Sequence, residues 1–186
     1  MEKRCILILG GARSGKSRQA QKLAVELGER VLFAATGEAR DEEMRQRIDE
    51  HRRNRPPNWR VLELPINVGR GILDGIGDAQ VVILDCLTLL VSNVIGECSA
   101  KSDSEAVDEK LLQDEFDMQL RELLEAIDAV GANCIIVSNE VGMGLVPVNR
   151  LGRLYRDLLG RANQAVAGRA DEVYLMVAGV PVQVKP

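Results

Sequence analysis

One stretch restricts what this chain can fold into more than any other: Gly10-Gly11-Ala12-Arg13-Ser14-Gly15-Lys16-Ser17, a full G-x-x-x-x-G-K-[ST] pattern directly behind the apolar run Cys5 to Leu9. Glycines at 10, 11 and 15 allow backbone angles and a closeness of approach that a Cβ would obstruct, so successive amides can face a polyphosphate. Lys16 is then set to reach the β- and γ-phosphates, and the Ser17 hydroxyl to ligate Mg²⁺. Ala20, Leu23, Ala24 and Leu27 recur at helical spacing behind the loop, which aims the positive end of a helix dipole at the same phosphates. Strand, loop and helix follow in the order such a site requires.

The rest of the chain suits a sheet that could carry this loop. At 186 residues, rich in aliphatic and poor in aromatic side chains, it can bury a core as one domain spanning 1–186, with a parallel sheet covered by helices. It lacks a run long and apolar enough for a membrane span, and its N-terminus lacks a signal-peptide pattern, so a cytoplasmic protein is expected. Cys5, Cys86, Cys98 and Cys134 form no C-x-x-C pair, and Cys5, Cys86 and Cys134 lie in or beside apolar runs, which points to buried free thiols. The charge is uneven. Residues 1 to 60 carry 14 Lys and Arg against 9 Asp and Glu, and the remainder 10 against 19. Positive charge gathered around the loop suits a small polyanion such as a nucleotide, and argues against nucleic acid as a partner.

Further strands and helices can be placed by pattern. Arg30 to Ala35 reads as a strand whose end carries Ala35-Thr36-Gly37, a candidate nucleotide contact beside the loop. From Asp41 a charged segment runs to Arg55 with acids first and arginines last, the arrangement a helix dipole favours, and stops before Pro56-Pro57. It holds the one histidine, His51, among Arg45, Arg47, Arg52, Arg53 and Arg55. Neighbouring guanidinium groups favour the uncharged imidazole, which can attack phosphorus while the arginines hold the anion under attack. A solvated helix face is the other reading of the same residues.

Arg60 to Leu64 alternates as a strand, with Glu63 set opposite to Val61, and Pro65 to Gly77 has weak helical character. Gln80 to Asp85 is a buried-strand pattern closing on an acid, so Asp85 is the Walker-B candidate to share Mg²⁺ with Ser17; a helix cap is the alternative role. After the helix-like Cys86 to Val94, the polar, acidic stretch Gly96 to Asp108 reads as an exposed connection. Lys110 to Val130 is amphipathic, Cys134 to Val137 is a strand, and Asn139 to Pro147, with its acid, glycines and proline, reads as an active-site loop. A helix from Asn149 to Ala167 is expected to turn Leu151, Leu154, Leu158, Ala162 and Ala165 inward and Asn163 outward, and Glu172 to Val177 with Val180 to Val184 forms a closing strand pair.

Five blocks in this order, GGARSGKS, ATGEARDEEMRQRIDEHRRNRP, LDCLTLLVSN, NEVGMGLVP and NRLGRLYRDLLGRANQAVAGRADEVYL, resemble the bifunctional adenosylcobinamide kinase / adenosylcobinamide-phosphate guanylyltransferase family of cobalamin biosynthesis, over nearly the whole chain. The resemblance implies a P-loop NTPase fold of the RecA-like kind. It also implies phosphorylation of adenosylcobinamide on its aminopropanol hydroxyl by ATP or GTP, then transfer of GMP from GTP to that phosphate through a guanylylated histidine, with Mg²⁺ as cofactor. The matching histidine is His51, and Gly10 to Ser17, Ala35, Thr36, Gly37, Arg52, Arg53, Asn54, Arg55, Glu63 and Asp85 fall on the family's GTP contacts. A homo-oligomer, a trimer in this family, is implied as well. Two other readings share the loop: an unrelated small-molecule kinase, and a regulatory ATPase whose acidic stretch near residues 97 to 109 contacts a partner.

Overall fold

The computed structural model describes residues 3–53, 55–101 and 108–186. In chain order the elements are β1 (Cys5–Gly10), α1 (Lys16–Leu27), β2 (Val31–Ala35), α2 (Glu42–Arg53), β3 (Arg60–Glu63), α3 (Val68–Gly75) and β4 (Val81–Asp85). They continue with α4 (Leu87–Lys101), α5 (Glu109–Ala129), β5 (Asn133–Val137), α6 (Arg150–Arg169), β6 (Glu172–Val177) and β7 (Val180–Lys185). The strands form one seven-stranded sheet in the order β3-β2-β4-β5-β1-β6-β7. All neighbours are parallel except β6 and β7, the expected closing pair, which run antiparallel.

A strand covered on both faces has no polar side to show, which is why β1, β2, β4 and β5 read as unbroken apolar runs. Alternate residues divide between two cores. Leu7, Leu32, Leu84 and Ile136 face one side, under α3, α4, α5 and α6. Ile6, Ile8, Phe33, Ile83 and Ile135 face the other, under Ala20 and Ala24 of α1. No residue of helix α2 belongs to either core, and its described charged residues are exposed.

Several expectations need correction. The stretch from Gly96 is not an open connection at its start: α4 runs on to Lys101 because Ile95 and Cys98 are buried on its inner face. Residues 102–107 lie outside the described residues, and Asp108 caps α5, its carboxylate accepting from the amides of Lys110 and Leu111 at 3.0 and 3.2 Å. Val61 and Glu63 are two apart on one strand, share a face and are both exposed, so they are not opposed. On α6, Leu151 is exposed, whereas Asn163 is buried with Leu158, Leu159, Ala162 and Val166. The Leu112-to-Ile127 stripe of α5 does pack inward, and none of the four cysteines forms a disulfide. No helix among the described residues is long and apolar enough to cross a membrane.

Candidate active site

The carboxyl ends of β2, β4, β5 and β1 converge on the phosphate loop, where an open parallel sheet receives ligands. Gly10 ends β1 at φ 152°, and a Cβ there would lie 2.6 Å from Ser14 Oγ and 2.8 Å from the Met176 carbonyl oxygen. Gly15 starts α1 at φ 96°, left-handed backbone that suits glycine, and supplies no side-chain cap, so the first amides of α1 stay open towards the loop. The loop is also braced from outside: the Gly179 amide in the β6–β7 turn donates to the Ser14 carbonyl at 3.0 Å.

Lys16 is 8 % exposed and its Nζ donates to the Gly11 carbonyl at 2.7 Å, which folds the loop around its own ammonium. Burial pulls the Lys16 ammonium below the ordinary lysine value, opposed by Cys86 and Asp85. Ala12 and Arg13 sit at the exposed tip, Arg13 with φ 56°. At the end of β4, Asp85 is half-buried and accepts a hydrogen bond from Ser17. Its carboxyl is pushed up by burial, against the combined pull of His51, the Ser17 hydroxyl, Lys16 and Arg55. The charge of Asp85 is thus influenced by His51 of α2, by Arg55 beyond its end and by the loop lysine. Burial pushes the adjoining Cys86 thiol up to about 12, so it remains a protonated neighbour.

Around the corner, Arg52, Arg53, Arg55, Pro56, Pro57, Trp59, Val61 and Glu63 line an open cleft of about 520 Å³. Arg55 stacks over the Phe33 ring at 3.6 Å, and Phe33 stacks on Trp59 with centroids 6.4 Å apart. Arg52 pairs with Glu63. Among the described residues, two buried side-chain polar atoms make no hydrogen bond, Ser14 Oγ in the loop and Arg55 Nε in the cleft. Buried polar atoms are normally satisfied, so these two orphans have bonding capacity that the chain does not use.

Of the other residues expected here, Ala35 and Gly37 flank the sheet end, while Thr36 is fully buried. Its hydroxyl donates to the Cys86 carbonyl at 2.7 Å and accepts from the Cys86 amide at 2.8 Å, tying β2 to the end of β4. Asn93 of α4 braces the same corner by donating to the Thr36 carbonyl at 2.8 Å, a contribution with no motif to reveal it. Asn54 lies outside the described residues.

Because burial raises Asp85, the folded chain holds a proton that the unfolded chain has already released once the pH exceeds about 4. Stability therefore falls as pH rises from there towards the folded-state value, and the loss persists above it. Asp85→Asn is expected to flatten this slope and to raise the urea midpoint at neutral pH; a variant with the wild-type slope would contradict it.

The sequence matches the cobinamide kinase / cobinamide phosphate guanyltransferase family over residues 6–184. The chain belongs to that family. Within it, the chain is similar to the bifunctional adenosylcobalamin biosynthesis protein CobU of Escherichia coli, at 39 % identity over 97 % of this chain and 99 % of that protein. It is similar to CobU of Salmonella typhimurium with the same identity and shares, and to the bifunctional adenosylcobalamin biosynthesis protein CobP of Pseudomonas aeruginosa at 40 % over 96 % of each. At the level of fold alone, this cobinamide kinase / guanyltransferase family member resembles two type III secretion ATPases. One is EscN of enteropathogenic E. coli, with a TM-score of 0.56 at 15 % identity over 95 % of this chain and 43 % of that one. The other is a prototypical ATPase from pathogenic bacteria, at 0.57 and 13 % over 95 % and 52 %. The fold is that of P-loop NTPases, as the loop had implied.

Proposed function

We propose that this chain performs both reactions of its family in one domain and on one nucleotide site. It phosphorylates adenosylcobinamide with ATP or GTP, then moves GMP from GTP to adenosylcobinamide phosphate through a guanylylated His51, giving adenosylcobinamide-GDP and pyrophosphate. The observation that carries this reading is the pair of unsatisfied buried atoms, Ser14 Oγ in the phosphate loop and Arg55 Nε in the cleft, together with the electrostatic pull of His51, Lys16 and Arg55 on Asp85.

In the transfer, an imidazole nitrogen of His51 forms a bond to the α-phosphorus as the bond from that phosphorus to the bridging oxygen breaks. Pyrophosphate leaves with the electron pair. Lys16, the loop amides and the arginines at the end of α2 stabilise its charge. A phosphate oxygen of the corrinoid then attacks the same phosphorus and the P–N bond breaks, which restores the histidine. Splitting the transfer in two lets one phosphate cradle serve GTP first and the corrinoid phosphate second. Ala35 to Gly37, Arg52 to Arg55 and Glu63 take the nucleotide's remaining contacts.

Mg²⁺ fits the donor set: the Ser17 hydroxyl and Asp85 carboxylate already meet, both offer hard oxygen ligands, and nucleotide phosphates supply the rest. When bound, it neutralises charge on the phosphate oxygens. We assign the enzyme to the cytoplasm, where its nucleotides are, and to a homotrimer. Edge strand β7 supports self-association, since Val180, Val182 and Val184 are exposed along it.

The test is direct. Incubation with adenosylcobinamide, GTP and Mg²⁺ is expected to yield adenosylcobinamide phosphate and adenosylcobinamide-GDP by mass spectrometry, with pyrophosphate released. Neither corrinoid product appearing would overturn the reading.

A further inference from the structure

The two proposed reactions differ in one chemical demand. The kinase acceptor is an alcohol and must lose a proton; the guanylyl acceptor is a phosphate, already ionised at neutral pH. A base is needed in the first step only. Resting on the function proposed above, we propose that Glu140 is that base. Its carboxylate takes the hydroxyl proton as the alcohol oxygen bonds to the γ-phosphorus and the bond from that phosphorus to the β–γ bridging oxygen breaks, the nucleoside diphosphate leaving with the electron pair.

The sheet puts Glu140 where such a base belongs. In the order β4-β5-β1, strand β5 lies between the strand that ends at Asp85 and the strand that ends in the phosphate loop. The chain leaving β5 follows β1 closely: the Ser138 amide donates to the Ile8 carbonyl at 3.0 Å, and the Glu140 amide to the Gly10 carbonyl at 3.1 Å. Glu140 is thus bonded to the first residue of the loop.

The intervening residue is held from both sides by buried polar groups. The Asn139 amide donates to Thr88 Oγ1 at 2.7 Å, and its carbonyl accepts from Asn163 Nδ2 at 3.0 Å. Asn163 Oδ1 in turn accepts from Ser138 Oγ at 2.6 Å. Burying Thr88, Ser138 and Asn163 is costly unless they are bonded, and once bonded they hold this segment to one conformation. Rigidity of this kind suits a group that must meet a proton within hydrogen-bond reach.

Elimination leads to the same residue. Other carboxylates by the site are committed: Asp85 to Ser17, Glu63 and Asp49 to Arg52, and Glu38 to Arg40. Glu140 accepts from the Gly142 amide. The arginines that reach its loop spend their N–H groups on main-chain carbonyls instead, Arg156 on Gly142 and Gly144, Arg153 on Pro147 and Val148. Among the described residues Glu140 makes no ion pair, and a carboxylate so placed beside a triphosphate repels the substrate, a cost that proton abstraction explains. Glu140 is also half-exposed, and the loop beyond it displays Met143 and Leu145 to solvent, which leaves room for a bulky acceptor.

The experiment compares full-length wild type, Glu140→Gln and Glu140→Asp in the two reactions separately. Glu140→Gln is expected to lower phosphorylation of adenosylcobinamide by about 100-fold or more, chiefly in kcat, with Glu140→Asp between it and wild type. GMP transfer from GTP to separately prepared adenosylcobinamide phosphate should stay within about threefold. Covalent labelling by α-labelled GTP shows that the variant is folded. Kinase activity near wild type in Glu140→Gln, or a parallel fall in both reactions, would overturn the assignment. A wild type inactive on adenosylcobinamide would instead sink the proposed function on which it rests.

Discussion

His51→Ala is expected to lower GMP transfer by about 10⁴-fold or more, roughly 5 kcal/mol of transition-state stabilisation, while cobinamide phosphorylation changes little. The size follows from covalent catalysis: removing the nucleophile leaves only direct attack of one phosphate on another, with no intermediate to divide the barrier. The selectivity follows from the kinase route, which never forms a bond to the imidazole. His51 is the chain's one histidine, so no second imidazole can replace it and a covalent label has a single histidine to occupy. Wild type incubated with GTP labelled at the α-phosphate should retain an acid-labile, base-stable label that the variant lacks. A variant that transfers GMP at more than about a tenth of the wild-type rate would remove the histidine from the mechanism.

Lys16→Met is expected to lower both activities together, by about 10²–10³-fold each, because one ammonium serves both triphosphate reactions. Lys16→Arg should not restore them. The ammonium sits in a loop that closes on the Gly11 carbonyl, and a planar guanidinium is too wide for that space. Stability should move the other way. Burial disfavours the charged lysine, so the folded state gives up protonation free energy at neutral pH, and a neutral methionine removes that cost. Paired measurement of both rates and of the urea midpoint checks this; a variant with one activity intact would separate two nucleotide sites that are here treated as one.

Much of the site was legible because its parts are local. The loop, its strand and its helix are contiguous, so one motif and two periodicities define them. That Asp85 closes β4 was legible because a buried strand that ends in an acid is a short-range pattern, and that His51 lies on a charged helix was legible because the acids-first, arginines-last order is local as well. What escaped was of a different kind. Asn163 was assigned outward because it is polar and the helix pattern is dominated by leucine and alanine, yet it lies inward because Ser138 and Asn139 need its amide. Thr36, Asn93 and the β6–β7 turn brace the site across separations that no window spans. The end of α4 was missed because Gly96 and its polar neighbours hide the buried Ile95 and Cys98.

Local chemistry therefore decided, from sequence alone, that this chain holds a polyphosphate: the conformational freedom of glycine, a lysine and a hydroxyl act over a few residues and need no distant partner. Which groups gather around that polyphosphate was decided only by the tertiary structure. Ser17 meets Asp85, and the Glu140 amide meets the Gly10 carbonyl, because strand order sets who is next to whom. That order is a property of how two apolar cores close over a sheet, not of any one segment.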